Sequence, residues 1–278
     1  AIMNKLLKAN MLRLRKDKVF ILSCVLMAFI GMLLPTVHYF DNVKNDATWT
    51  IDSTCFIYTF LCPILLAIII PLYVGCEYSD KTIRNKIISG HKRYKIYLSN
   101  LIICLICGLI LCLIYLLFHT CFGIILLGGF ESSFKIIISY LLASFAIIIA
   151  FTALYMVIAM LVTNKSYSIA TSILLAFALL FLGIKITSAL NEPEYYSGFT
   201  YTENTENESV DSIKNPNYLS GTKREIYEFF FDFILGGQII QISNLKAKNT
   251  LLLVVYDCII LFSTTTLGIV FFSKKDLK

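Results

Sequence analysis

Three kinds of side chain in this sequence could do chemistry: nine cysteines, three histidines, and two charges set inside apolar runs. Cys104 and Cys107 have the C-x-x-C spacing that in a soluble protein would suit zinc binding or dithiol exchange. Here the pair lies within a long apolar run, with no second pair and no histidine cluster beside it. In such surroundings cysteine acts as a small hydrophobe, so both are read as packing residues. His38, His91 and His119 are far apart, each without a ligand partner nearby, so no metal site is expected. The sequence contains no G-x-x-x-x-G-K-[ST], no G-x-S-x-G and no H-E-x-x-H. It therefore lacks a P-loop, a nucleophile elbow and a helical zinc site. No catalytic residue and no resident cofactor are expected on this chain. Lys185 and Asp257 each stand a few residues inside the end of an apolar run. Charges at depth are costly and usually functional. One reading pairs them, bracing two helices about 8–10 Å below a membrane surface. The other lets Lys185 snorkel to the interface while Asp257 faces water.

The elements that must carry these residues follow from composition. Of 278 residues 58% are hydrophobic and 15% are charged. Soluble domains carry about 25% charged residues, so this is a membrane protein. Apolar runs long enough to cross a bilayer as helices fall at residues 19–39, 56–76, 97–121, 136–162, 169–190 and 251–272. The expected fold is an all-α polytopic membrane protein with six transmembrane helices, a single domain over residues 1–278. Ala1-Ile2 ahead of Met3 reads as an expression scar, with Met3 the natural start. Residues 3–18 place Met3, Leu6, Leu7, Met11 and Leu14 on one side of a helical wheel and most basic residues on the other. That pattern suits an interfacial helix with its apolar face in the acyl boundary. Pro63 and Pro71 inside the second run predict a kink. Trp49, the only tryptophan, is expected to anchor an interface.

Residues 191–250 interrupt the pattern. Their first half is polar and is expected to be an irregular external loop. Their second half turns apolar and aromatic but is too short to span, and Gly236-Gly237 divides it. A re-entrant helical hairpin fits, provided its backbone is buried in protein or lines water.

Between the second and third runs lies the densest island of charge: Glu77, Asp80, Lys81, Arg84, Lys86, Lys92, Arg93 and Lys95. Most of the 24 lysines and arginines fall on this side of the predicted topology, with the two chain ends. Of the 18 acidic residues only Asp17, Glu77, Asp80 and Asp276 do so. The positive-inside rule then places both termini and this island in the cytoplasm. Within residues 77–90, Glu77 and Lys81 have the i, i+4 spacing of a helical ion pair. Ile83 and Ile87 share a face flanked by Ile88, beside Arg84 and Lys86, and Gly90 permits a turn back. An apolar stripe exposed beneath a membrane needs a partner to cover it.

The stretch E-Y-S-x-x-T-I-R-N-K-I-x-x-G-x-x-R-x-x-x-Y-L-S, residues 77–99, resembles the segment after the second helix in ABC-2 type permeases of bacteria. More narrowly the chain is similar to the six-helix permeases that handle lantibiotics or amphipathic cytolytic peptides in Gram-positive bacteria. Phe231, Phe233, Gly236, Gly237 and Gln238 fall in a stretch similar to the family's hairpin tip. Family members often have proline near Leu235 or Gly236, and often glycine where this chain has Lys81. The resemblance implies that residues 77–90 are a coupling helix seated on a separate ABC ATPase. Glu77, Tyr78, Lys81, Thr82, Ile83, Arg84, Asn85, Ile87, Ile88 and Gly90 would form that contact. It further implies two ATPase copies, which hold the ATP and Mg, and a second permease copy, identical or homologous. The expected location is the bacterial plasma membrane, with lipid and a peptide substrate as further partners and no nucleic acid. The expected function is thus the permease subunit of an ATP-driven exporter of amphipathic or antimicrobial peptides. A membrane protein that senses or confers immunity to such peptides, binding them without transport, is the alternative.

Overall fold

A computed structural model describes residues 2–198 and 211–276. Among these the chain forms α1 (Ile2–Arg15), α2 (Lys18–Asn45), α3 (Asp52–Cys55), α4 (Tyr58–Ser79), α5 (Thr82–Ile88), α6 (Arg93–Leu127), α7 (Phe134–Leu161) and α8 (Lys165–Leu190). A two-stranded antiparallel ribbon follows, β1 (Tyr195–Gly198) and β2 (Asp211–Lys214), pairing Tyr195 with Lys214 and Gly198 with Asp211. Then come α9 (Gly221–Phe233), α10 (Leu235–Ser243) and α11 (Thr250–Lys274). Six of these segments are long and apolar enough to cross a membrane: α2, α3 with α4, α6, α7, α8 and α11. The protein is an all-α polytopic membrane protein.

Three of the spans, α2, α8 and α11, start at side chains that satisfy otherwise orphaned amides. Asp17 accepts from Val19 N at 2.9 Å and Phe20 N at 3.0 Å. Asn164 does the same for α8 and Asn249 for α11. The helices run past the apolar runs because their polar ends stay helical. Thus α6 begins at Arg93 and ends at Leu127, well beyond residues 97–121. Pro63 and Pro71 both lie inside α4 without ending it.

The core is centred on α4 and α7. Tyr58, Leu66, Ile70, Ala143, Ile147, Phe151 and Tyr155 are all fully buried. Between helices in lipid, association rests on close packing and hydrogen bonds rather than on exclusion of water. The Tyr58 and Ser144 hydroxyls meet at 2.5 Å between α4 and α7. Tyr115 of α6 donates to Thr54 O at 2.8 Å, and Thr54 Oγ1 lies 2.9 Å from His119 Nε2. By contrast α2, α8 and α11 present rows of exposed apolar side chains, such as Leu22, Phe177 and Phe262, on the bundle's flanks.

Both chain ends converge at one end of the bundle. Arg93 at the start of α6 donates to Phe272 O at 3.3 Å and Ser273 O at 3.0 Å, and also reaches Lys275 O. It satisfies the open carbonyls at the end of α11. The apolar side of α1 packs on the chain itself rather than on the acyl boundary, with Leu6 and Leu14 buried. At the opposite end, α3, the α6–α7 turn and the α9–α10 hairpin cluster. Asp52 Oδ2 accepts from Ser132 N there at 2.8 Å.

Candidate functional site

At the end that holds α1 and both termini, α5 protrudes as a two-turn helix. The predicted helix over residues 77–90 is divided. Glu77 and Tyr78 complete the last turn of α4, and the chain breaks at Asp80-Lys81 before α5 begins. Lys81 takes the left-handed conformation, φ +55°, which disfavours any residue with a Cβ. This is the position where the resemblance led one to expect glycine. Thr82 Oγ1 closes the break by donating to Glu77 O at 3.0 Å. The far end of α5 is a Schellman turn: Gly90 N donates to Ile87 O at 2.9 Å and His91 N to Lys86 O at 3.1 Å. Gly90 stands at φ +83°, as that turn requires.

Glu77 does not pair with Lys81. Its side chain is fully buried and receives Arg13 Nη1 at 2.6 Å, Lys86 Nζ, and Asn100 Nδ2 at 2.8 Å. Lys81 instead is exposed at the cleft beside α5. The physical reason is the break itself, which turns Lys81 away and brings Lys86 of α5 back over Glu77. Around this carboxylate α1, α4, α5 and α6 meet. Asn10 of α1 donates to Asn100 Oδ1 at 2.7 Å and accepts from Lys86 Nζ at 3.2 Å. Tyr73 donates to Asn10 O at 2.8 Å, and the Arg13 guanidinium lies 3.7 Å from the centre of the Tyr73 ring. The carboxylate thus has two cations and an amide donor, the saturation a buried charge requires.

The apolar stripe of α5 also differs from expectation. Ile83 is buried and Ile87 is packed against the chain's own core, so neither awaits a partner. The free side of α5 carries Arg84, Asn85 and Ile88, and Ile88 is 74% exposed. Beside it opens a cleft of about 410 Å³ lined by Tyr78, Lys81, Arg84, Thr163 and Asp276. Lys275, next to the lining residue Asp276, donates to Met160 O at 2.8 Å and to the Tyr78 hydroxyl at 3.0 Å. Burial pushes the Lys275 amine down to about 8.

At the other end, α9 and α10 form an antiparallel hairpin whose turn is at Ile234, two residues before the glycine pair. Gln238 Nε2 donates to Asp232 O at 2.9 Å, and Gln241 Nε2 to Phe231 O at 3.1 Å and Asp232 Oδ1 at 2.9 Å. These two glutamines close the end of α9, and no proline is needed at the tip. Gly236 lies inside α10, where a Cβ would collide with the Leu179 carbonyl of α8. From Leu190 to Leu179 is about 16 Å at 1.5 Å per residue, so the tip dips deep into the bundle. Phe233 stacks on Phe229 at 5.8 Å, and Tyr256 of α11 meets Phe233 edge-on at 5.5 Å.

Lys185 and Asp257 are not a pair. Among the described residues no ion pair includes either. Lys185 is exposed on α8 beside α9. Asp257 is buried on α11 beside Gln238, with no cation to compensate it among the described residues. The hairpin lies between the two helices and takes the contact that a direct pair would have made. Cys104 and Cys107 are buried free thiols of α6. Among the described residues no group of three or more histidine, cysteine or acidic side chains could hold a metal ion.

Six membrane-length segments, an amphipathic helix ahead of them and a charged two-turn helix between the second and third define a polytopic membrane protein. A family profile for ABC-2 family transporter proteins matches residues 6–183, and the chain belongs to that family. It is a membrane permease subunit of an ABC exporter, whose partner is an ABC ATPase. The match takes in α1 to most of α8, including α5, and ends before the hairpin. Among curated proteins, none matches the chain.

Proposed function

We propose that α5 is the element by which the ATPase drives this permease, and that the cargo is an amphipathic peptide. In this reading Arg84, Asn85 and Ile88 dock on the ATPase and Glu77 transmits its movement. The observation that carries the reading is the Glu77 node. A two-turn helix cannot hold its own shape in water. Here it is tied by a buried carboxylate to α1, α4 and α6 together. A push on α5 therefore moves the ends of two spans and the lateral helix as a unit. Both termini would lie in the cytoplasm, where the excess of basic residues favours them. The permease would act as a pair with two ATPase copies, the ATP and Mg being held by the ATPases. The peptide cargo is supported by the aromatic hairpin, Tyr227, Phe229, Phe230 and Phe233, and by spans with few buried charges.

The test is co-purification with the ABC ATPase encoded beside this chain, comparing wild type with Arg84→Glu and Ile88→Asp. Both side chains are exposed, so folding should survive. Stoichiometric retention lost in both variants is the expected result. Retention unchanged in both would place docking elsewhere. No retention by the folded wild type would favour a peptide-binding immunity protein that needs no motor.

A further inference from the structure

The α9 side of the bundle holds a second feature, independent of α5. Between the last two turns of α8 and the length of α9 runs a groove of about 530 Å³ lined by Leu182, Lys185, Ile186, Tyr227, Phe230 and Ile234. Every one of these is apolar or aromatic except Lys185. Its ammonium is in no ion pair among the described residues. Lys185 stands five residues from the end of α8, about 7–8 Å along the helix, within reach of the headgroup level for a snorkelling lysine. The face that α9 turns to the groove carries Tyr227, Phe230 and Ile234, and Lys223 precedes Tyr227 by one turn on the same face. At the mouth Arg224 donates to Leu190 O at 3.5 Å and pairs with Glu228 at 3.3 Å, while Lys248 takes the second Glu228 oxygen at 3.1 Å. Among the described residues, Lys185 is the one charged side chain of the groove lining. The groove is continuous with the lipid-facing side of α8, where Phe181, Leu182 and Ile184 are exposed. An occupant entering from the bilayer must have an apolar body and an anionic head.

We propose that this groove binds one anionic phospholipid, its acyl chain along Tyr227, Phe230 and Ile234 and its phosphate on Lys185. The lipid completes the wall between α8 and the hairpin and gives Lys185 its counter-charge. The site needs no transport activity, but it shares Tyr227 and Phe230 with the aromatic hairpin that supports the cargo reading. An exposed tryptophan in the groove reports it: Trp49→Phe with Tyr227→Trp, in nanodiscs carrying brominated phosphatidylglycerol or brominated phosphatidylcholine. One ammonium at the interface is worth about 1 kcal/mol toward an anionic lipid, or about fivefold in occupancy. Quenching should favour the phosphatidylglycerol by that factor, the preference should vanish with Lys185→Gln, and it should persist with Lys246→Gln, an exposed lysine outside the groove lining. Equal quenching by the two lipids would overturn the proposal, as would a preference that survives Lys185→Gln or is lost equally with Lys246→Gln. Protection of the tryptophan by an amphipathic peptide without any lipid preference would also overturn it, making the occupant a peptide. Native mass spectrometry of the unsubstituted chain gives a second measure. More retained phosphatidylglycerol than phosphatidylcholine, lost with Lys185→Gln, agrees; equal retention does not.

Discussion

Replacing Glu77 by leucine should release α5 while leaving the bundle core intact. The carboxylate is fully buried and serves Arg13, Lys86 and Asn100 at once. Removing one partner of a buried ion pair costs about 3–5 kcal/mol, because the charge left behind loses its compensation. Arg13 is 34% exposed and Lys86 16% on their side chains, so water can re-solvate part of that loss. The low end, about 3 kcal/mol, is the appropriate figure. Global melting would blur it, since α5 can open without unfolding the spans. Amide hydrogen exchange in nanodiscs resolves it. If opening is fast, 3 kcal/mol corresponds to roughly 150-fold loss of protection in α5 and the facing turn of α1. The amides around Phe151 and Tyr155 in α7 should not change. Glu77→Gln should fall between, since the amide can still accept from Arg13 but carries no charge. The reasoning is refuted if α5 protection is unaltered in Glu77→Leu, or if α7 loses protection by the same factor.

Further outcomes follow from single contacts. Gly236→Ala drives a methyl group into the Leu179 carbonyl, and overpacking against backbone should cost about 3 kcal/mol, read as a lower melting temperature in detergent; an unchanged melt refutes the close approach. Lys81→Gly removes the left-handed strain at φ +55° and should add about 1 kcal/mol of protection to α5, measured in the same exchange experiment. Asp257→Asn keeps the size of a buried side chain that no cation compensates and should leave stability within about 1 kcal/mol, whereas a true Lys185 pair would make it fall. The Glu228 carboxyl is held below its ordinary value by hydrogen bonding to Lys248, with Arg224 adding to it. Its contribution is present above the ordinary carboxylate value and is lost as pH falls through its lower, folded value. The pair is exposed, so α9 should lose no more than about 1 kcal/mol of protection on acidification, and Glu228→Gln should abolish that dependence.

The six spans were legible because a bilayer sets a length that only long apolar runs can meet. Their ends were not, since Arg93, Tyr94 and Lys95 are polar yet helical and anchored by contacts to α11. The place of α5 was legible from the island of charge, but its orientation was not. Local spacing offered Lys81 to Glu77, whereas the true partners are Lys86 across the break and Arg13, 64 residues away. One signal pointed to the node: Asn10 sits between Leu6 and Leu14 at helical spacing, a polar side chain in the middle of an apolar stripe, and it is buried on Asn100. In the hairpin the glycine pair was visible, but not that Gly236 packs against Leu179 of α8 and Gly237 against Phe231 of α9. The exposed tip of α5 and the inward Ile83 could not be told apart by periodicity, because seven residues give too few turns to define a face.

The Glu77 node also imposes an order on synthesis. Arg13 waits for a partner 64 residues downstream, and Asn10 for one 90 residues downstream. At about 5–20 residues per second, α1 exists for several seconds before Glu77 and Asn100 have been made. During that interval two spans must enter the bilayer while α1 remains outside it. Its basic, amphipathic character lets it rest on the membrane surface meanwhile. α1 is therefore made well before its partners, and it docks only after the third span has begun to emerge.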